Sequence, residues 1–175
     1  MSQYLVLTAM GAGRTESVSE LTKLASECGC NIVDSRMAVF GLEFTLLMLL
    51  DGDNRAINKI EAKLPALAVE LELITMMKRT SGYEPLDLTQ HYRAEYAGID
   101  QTGILKATTA FFANRNLDIS SLKSKINPET NIMSAHILFA LTKNTAIEEL
   151  ENSFLQLCEQ IGVQGCIKEV HSNTL

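Results

Sequence analysis

Residues 4–9 (YLVLTA), 13–18 (GRTESV) and 31–39 (NIVDSRMAV) have counterparts later in the chain at 92–97 (YRAEYA), 100–105 (DQTGIL) and 118–126 (DISSLKSKI). The offset is steady: 100 − 13 = 87 positions from Gly13 to Asp100, and 119 − 32 = 87 from Ile32 to Ile119. Self-similarity at a fixed period marks a duplicated structural unit. The chain is therefore expected to hold two copies of one small domain. The first covers residues 1–79, the second 89–175, and a linker over 80–88 contains Gly82 and Pro85.

Within the first copy, residues 4–9 read as a short buried strand broken at Gly11 and Gly13. A helix is expected from about Thr15, with Val18, Leu21, Leu24 and Cys28 as its apolar stripe and Ser17 and Glu20 in capping-box register. Gly29 ends it. Residues 31–40 form a second strand, Gly41 reverses the chain, and residues 44–50 return. Asp51 and Asp53 read as charges at a turn and helix start rather than a metal cradle. The next stripe is Ile57, Ile60 and Leu64, closed by Pro65, with the fourth strand at 70–77.

The second copy repeats the plan. Residues 91–97 and 119–126 read as strands, 132–141 as the return, and 164–171 as the closing strand. One helix turns Leu105, Thr108, Phe111 and Phe112 inward; the other carries Ile147, Leu150, Phe154, Leu157 and Ile161. Each half is thus βαββαβ. The fold class is α+β, two ferredoxin-like domains, each a four-stranded antiparallel sheet with two helices on one face.

The two sheets differ in chemistry. In residues 44–50 (FTLLMLL) both alternating faces are largely apolar, so the face away from the helices is expected to meet a partner, its own twin or the second half. In residues 91–97 (HYRAEYA), Arg93 and Glu95 alternate with Tyr92, Ala94 and Tyr96, the pattern of a sheet with one wet face.

Composition excludes several classes. With 15 basic and 21 acidic residues and a net charge of −6, the chain lacks the basic face that direct nucleic-acid binding requires. Lys78 with Arg79 and Lys123 with Lys125 read as solvated charges. The longest apolar run, 44–50, is too short to span a bilayer, and no signal-like segment opens the chain; a cytoplasmic location is expected. Cys28, Cys30, Cys158 and Cys166 lack the spacing of a four-ligand zinc site and read as small apolar residues. No cofactor or metal is implied.

The loops joining the first strand to the first helix of each copy are the candidate ligand sites, since a helix N-terminus offers unpaired N–H groups and a favourable dipole to a carboxylate. In the second copy Asp100 can cap the helix or face an ammonium, Thr102 and Ile104 flank the turn, and Gly103 admits close approach. In the first copy the loop holds Gly13 and Arg14, with Glu16 aligned to Gly103, where its carboxylate competes with an incoming anion. Asn31 and Asp118 stand at equivalent strand starts and are candidate polar contributors.

Asp100-x-x-Gly103-Ile104-Leu105, the run from Cys30 to Ser35 and the duplicated plan resemble paired ACT domains, which are amino-acid-sensing regulatory modules. More narrowly, the run from Gly29 to Arg36, the apolar 44–50 strand and Met76-Met77-Lys78-Arg79-Thr80 are similar to the glycine cleavage system transcriptional repressor family. The likeness covers nearly the whole chain and leaves no length for a catalytic domain. It implies a cytoplasmic repressor without its own DNA-binding domain. Such a protein acts by contact with a DNA-binding activator of LysR type, with glycine or another small amino acid as signal and homo-oligomers as a further option. The family's first loop carries an Asp-Arg-Pro-Gly-Ile-Val run; here only Arg14 and Val18 match it.

Two other readings stand beside this one. A ligand-independent interaction module is favoured by the apolar sheet face and the altered first loop. A small enzyme would need chemistry from His91, His136 or His171, yet two histidines near one sheet end require a carboxylate such as Glu169 to hold zinc, and no nucleophile has an evident base. No catalytic residue is assigned.

Overall fold

The computed structural model describes residues 3–80, 91–141 and 146–170, the Arg14 side chain excepted. The chain divides into two compact units, Met1–Pro85 and Leu86–Leu175. The first contains β1 (Gln3–Gly11), α1 (Arg14–Cys28), β2 (Asn31–Phe40), β3 (Glu43–Gly52), α2 (Asn54–Glu70) and β4 (Ile74–Thr80). The second contains β5 (His91–Ile99), α3 (Ile104–Ala113), β6 (Ile119–Ile126), β7 (Ile132–Ala140), α4 (Ile147–Gln160) and β8 (Val163–Val170). The sheets run β2-β3-β1-β4 and β6-β7-β5-β8, every neighbour antiparallel. Each unit is the expected ferredoxin-like βαββαβ.

Strand alternation builds each core. Along β1, Leu5, Leu7 and Ala9 are fully buried, and from β3 Phe44, Leu46, Met48 and Leu50 join them. Against this face α1 lays Leu21, Leu24 and Cys28, and α2 lays Ile57, Ile60, Leu64 and Ala68, at the spacing of one helical stripe. The second core is aromatic: the Phe112 ring lies 4.9 Å from Phe139, 5.3 Å from Phe111 and 6.1 Å from Phe154. Tyr96 takes its hydroxyl into this core, 2.9 Å from the buried Thr108 hydroxyl.

A β-bulge recurs in both units. The β2–β3 register shifts between Ile32 and Asp34, and the β6–β7 register shifts between Ile119 and Ser121. Ile32 faces the helices, and the extra residue reverses the alternation, so Asp34 and Arg36 turn to the open face opposite Leu49 and Leu47. Gly11 and Gly98 also hold matching places. A Cβ there would lie 2.8 Å from the side chains of Leu73 and Val163, so glycine lets the last strand begin against the end of the first.

The structure corrects several local expectations. Helix α1 begins at Arg14 behind a left-handed Gly13, with no side-chain cap; Ser17 is buried within the helix, its N–H bonded to the Gly13 carbonyl, and Glu20 pairs with Lys23 instead of closing a capping box. Helix α3 begins behind Gly103, at φ 101°, so Asp100 is no cap. Gly13, not Glu16, is therefore the counterpart of Gly103, because the first unit converts an open loop into an additional helical turn. Pro65 does not end α2, which runs on to Glu70: a proline inside a helix costs about 3 kcal/mol, offset here by burying Ala68 and packing Leu67 and Leu71 on the core. The fourth strand consequently starts at Ile74, after Glu72 turns the chain at φ 53°. Asp53 caps α2 through a 2.7 Å bond from the Ala56 N–H, whereas Asp51 lies within β3. Thr80 of the expected linker ends β4, and 81–88 lie outside the described residues, as does His171 of the expected closing strand.

Polar side chains tie the elements together. Arg79 donates to Glu61 at 2.6 and 2.8 Å, to Asn58 at 2.6 Å, to Gln3 at 3.1 Å and to Asn54 at 3.2 Å, joining β4, β1 and α2. The open face of the second sheet is ionic. Glu95 contacts Lys168 and Arg93 at 2.7 Å each and His136 at 3.5 Å, the Arg93 Nε approach being an ion contact rather than an aligned hydrogen bond. The Lys168 hydrogen bond holds the Glu95 carboxyl below its ordinary value, aided by the charges of Arg93 and His136 and opposed by burial.

Two outcomes follow from this packing. Phe112→Ala removes the ring at the centre of the second core and is expected to cost about 3–5 kcal/mol, read as a lower urea midpoint. Because the folded-state pKa of Glu95 is depressed, its contribution is complete above the ordinary glutamate value of 4.5 and is lost as pH falls through the folded value. Glu95→Gln should lower the urea midpoint at pH 7, and the gap to the native chain should close in strongly acid solution.

Candidate functional site

A cleft of about 390 Å³ lies at the start of α3. Asp100, Gln101, Thr102 and Gly103 form one wall; Lys106 and Leu105 come from the first turn of the helix; Ser124, Lys125, Ile126 and Met133 come from the β6–β7 hairpin. The backbone explains its openness. Asp100 donates its N–H to the Asn131 carbonyl at 2.9 Å, and the left-handed Gly103 then starts the helix with nothing within 4 Å of where a Cβ would stand. First-turn N–H groups of a helix lack intrahelical partners and carry positive partial charge. Half-buried Asp100 therefore shares the cleft with a positive helix end and two lysines. Opposite charges in one small cleft suit a zwitterion.

Of the residues singled out in the sequence, Asp100, Thr102 and Gly103 lie together here. Ile104 places its side chain in the core. Asp118 is exposed just before β6, and the pairing of Ile119 with Phe139, itself opposite Tyr92, puts it at the far end of the sheet from Ile99 and Asp100. Asn31 pairs with Asp51, opposite Tyr4, while Gly13 follows the other end of β1. Seven residues of strand rise separate those ends, about 23 Å. Within each unit the strand-start residues are therefore not brought to the helix start. Sequence reading missed Lys106, Ser124, Lys125, Ile126 and Met133; the hairpin return that brings 124–126 beside the loop was the available signal.

The corresponding place in the first unit is a cleft of about 480 Å³ lined by Gly13, Thr15, Glu16, Val39, Gly41 and Leu42. Its lining offers Glu16 and exposed apolar groups where the second unit offers two lysines. The Arg14 backbone begins α1 there, its side chain lying outside the described atoms.

Part of the open face of the first sheet is apolar, as its sequence suggests. Met10, Leu47, Ile74 and Met76 are exposed on it, Ile74 at 70% and Met76 at 68%. Met10 pairs with Ile74 and Thr8 with Met76, so an apolar patch spans β1 and β4 at this end of the sheet, bounded by Lys78 opposite Val6.

Catalytic and metal groupings are sparse. No cluster of three His, Cys, Asp or Glu able to hold a metal occurs among the described residues. His91 is buried, pairs with Val170, and has neither ring nitrogen hydrogen-bonded among the described residues. The four cysteines are free thiols. Burial, with Cys166 nearby, pushes the Cys158 thiol up to about 11, and burial likewise raises Cys30, so both are thiols at neutral pH rather than nucleophiles. No helix among the described residues is long and apolar enough to cross a membrane.

Comparison with known proteins agrees with this architecture. The ACT domain family matches residues 3–78. The glycine cleavage system transcriptional repressor of Escherichia coli (strain K12) is 35% identical over 172 residues, 96% of this chain and 90% of that protein. A crystal structure of a candidate glycine cleavage system transcriptional repressor superposes with a TM-score of 0.81 at 34% identity, covering 98% of this chain and 99% of the other. A protein of unknown function from Galdieria sulphuraria shares the fold, with a TM-score of 0.75 at 22% identity and coverage of 98% and 100%. Full-length likeness at this identity, on a duplicated ACT fold, places the chain in the glycine cleavage system transcriptional repressor family.

Proposed function

We propose that this protein represses transcription in the cytoplasm by contact with a DNA-binding activator of LysR type, and that a small amino acid, glycine first among candidates, modulates the contact. Two domains, 1–80 and 89–175 joined by 81–88, carry the two tasks. The observation that carries the reading is the cleft at the start of α3, which Asp100 lines together with the first residues of the helix, Lys106 and Lys125. The ligand's carboxylate is taken by the Thr102–Gly103 helix start and the lysines, its ammonium by Asp100. The net charge of −6 supports action through a protein rather than on DNA directly.

Amino acid shifts repression only through different affinities for two arrangements of the protein, and a tenfold preference corresponds to about 1.4 kcal/mol. The apolar edge of Met10, Ile74 and Met76 supports a second reading, a module that docks its partner without any ligand.

Calorimetric titration with glycine tests the sensor. Asp100→Ala and Lys125→Ala should each weaken binding by roughly tenfold or more, since hydrogen bonds to charged groups contribute about 1.5–3 kcal/mol. Absence of heat up to about 20 mM glycine would remove the ligand from the proposal. In a pull-down from native extract, the activator should be recovered in amounts that change with added glycine. Repression that survives Asp100→Ala but is abolished by Met76→Glu would establish the ligand-independent module instead.

A further inference from the structure

The net charge of −6 conceals a local excess of the opposite sign on the open face of the second unit's sheet. Strand pairing sets Ser121, Lys123 and Lys125 of β6 opposite Leu138, His136 and Ser134 of β7, which in turn lie beside Arg93, Glu95 and Ala97 of β5. Lys168 and Cys166 of β8 complete the Arg93 and Glu95 rows. The alternate residues of β7, among them Ile137 and Phe139, are buried under the helices, so these rows belong to the open face. Among the described residues that face carries four basic side chains, Arg93, Lys123, Lys125 and Lys168, against the single carboxylate of Glu95.

Glu95 does not balance them. Its Oε2 accepts from Lys168 at 2.7 Å, while its Oε1 is shared by Arg93 Nε at 2.7 Å and His136 Nδ1 at 3.5 Å. Arg93 stands directly across the β5–β8 ladder from Lys168, and like charges so placed oppose strand pairing. Lys123 and Lys125 are exposed and have no ion pair among the described residues, and the Lys168 side chain is 56% exposed. An ammonium has three donors and a guanidinium five, so most of the donor capacity here is unspent. Nor does the frame require these charges. At the same offset (93 − 6 = 87) the first unit has Val6 and Thr8 where the second has Arg93 and Glu95.

Spacing and chemistry select the occupant. Lys123 on β6 and Lys168 on β8 are three strand spacings apart, about 14 Å, too far for one carboxylate or phosphate to bridge. Nucleic acid on an open sheet relies on aromatic rings that stack the bases, and Tyr92, Tyr96 and Phe139 instead pack on the core. Leu138, half-buried between Arg93 and Ser121, adds an apolar contact at the centre. Several carboxylates spaced along one polypeptide, with an apolar side chain among them, meet both requirements.

We propose that the open face of the second unit's sheet docks an acidic segment of a partner protein, its carboxylates held by Lys123, Arg93 and Lys168. The inference rests on action through protein contact and names the surface; it depends neither on the identity of the activator nor on glycine in the α3 cleft. Titration of the full chain with a short poly-L-glutamate peptide, followed by amide NMR, tests it, with an oligothymidylate of equal charge as the competing polyanion. Saturable binding is expected at low salt, with shifts at Lys123, His136 and Lys168 and weaker binding as salt rises. Lys123→Glu should weaken it by about tenfold or more and Lys123→Gln by less. Lys59→Glu, the same reversal at an exposed site on α2, should leave it unchanged. No saturable binding, equal losses in Lys59→Glu and Lys123→Glu, shifts confined to the α3 cleft, or tighter binding of the oligothymidylate would overturn the proposal. Failure to recover a LysR-type activator from extract would sink the earlier reading and not this one, which the peptide titration tests without an activator.

Discussion

Everything in each unit depends on the burial of one face of a four-stranded sheet under two helices. Leu5, Leu7 and Ala9 in the first unit, and Ala94 and Tyr96 in the second, project from the central strand into an interior with almost no solvent. Burial of apolar surface is the main favourable term available to a domain of this size. It commits alternate residues of the inner strands β1, β3 and β7 to packing, whereas β2 from Ser35 on and β6 from Ser121 on are exposed on both faces. Among the described residues, polar groups are thus left to the open sheet faces, the outer helix faces and the loops at the strand ends.

Duplication allowed those places to diverge while the frame held. Bulges after Ile32 and Ile119, and close-approach glycines at Gly11 and Gly98, recur at the 87-residue offset because they shape backbone that both cores need. Open faces carry no such obligation. The first became apolar with a flanking Asp34–Arg36 pair, and the second became ionic around Glu95. The helix starts diverged too: one further turn in α1 leaves Glu16 at the first cleft, whereas the open loop before α3 leaves Asp100 beside Lys106 and Lys125.

Such an architecture suits a regulator. The chain belongs to the glycine cleavage system transcriptional repressor family and carries two small domains. Side chains on strands and helix ends are held in place by the packed cores behind them, which lowers the ordering cost of any contact they make. The Arg79 cluster serves the same end in the first unit, locking β4 to α2 and β1.

From the amino-acid order alone, the repeat, the βαββαβ plan of each half, the helix stripes and the contrast between the two sheet faces were legible, because periodicity and alternation are local properties of the chain. A helix start near Asp53 and Gly29 as a helix end were legible for the same reason. Tertiary packing decided the rest. Pro65 reads as a stop, but burial of Ala68 outweighs its local cost; Ser17 reads as a cap, but the core draws it inside a helix that starts a turn earlier. Asn31 and Asp118 read as site residues until pairing sets them at the opposite sheet end from the helix starts, while Lys125 gains its place through a hairpin return. Nor does the sequence show that a bulge reverses Asp34 and Arg36 onto the open face. Those outcomes rest on register and through-space contact, which form only when distant segments compete for the same buried surface.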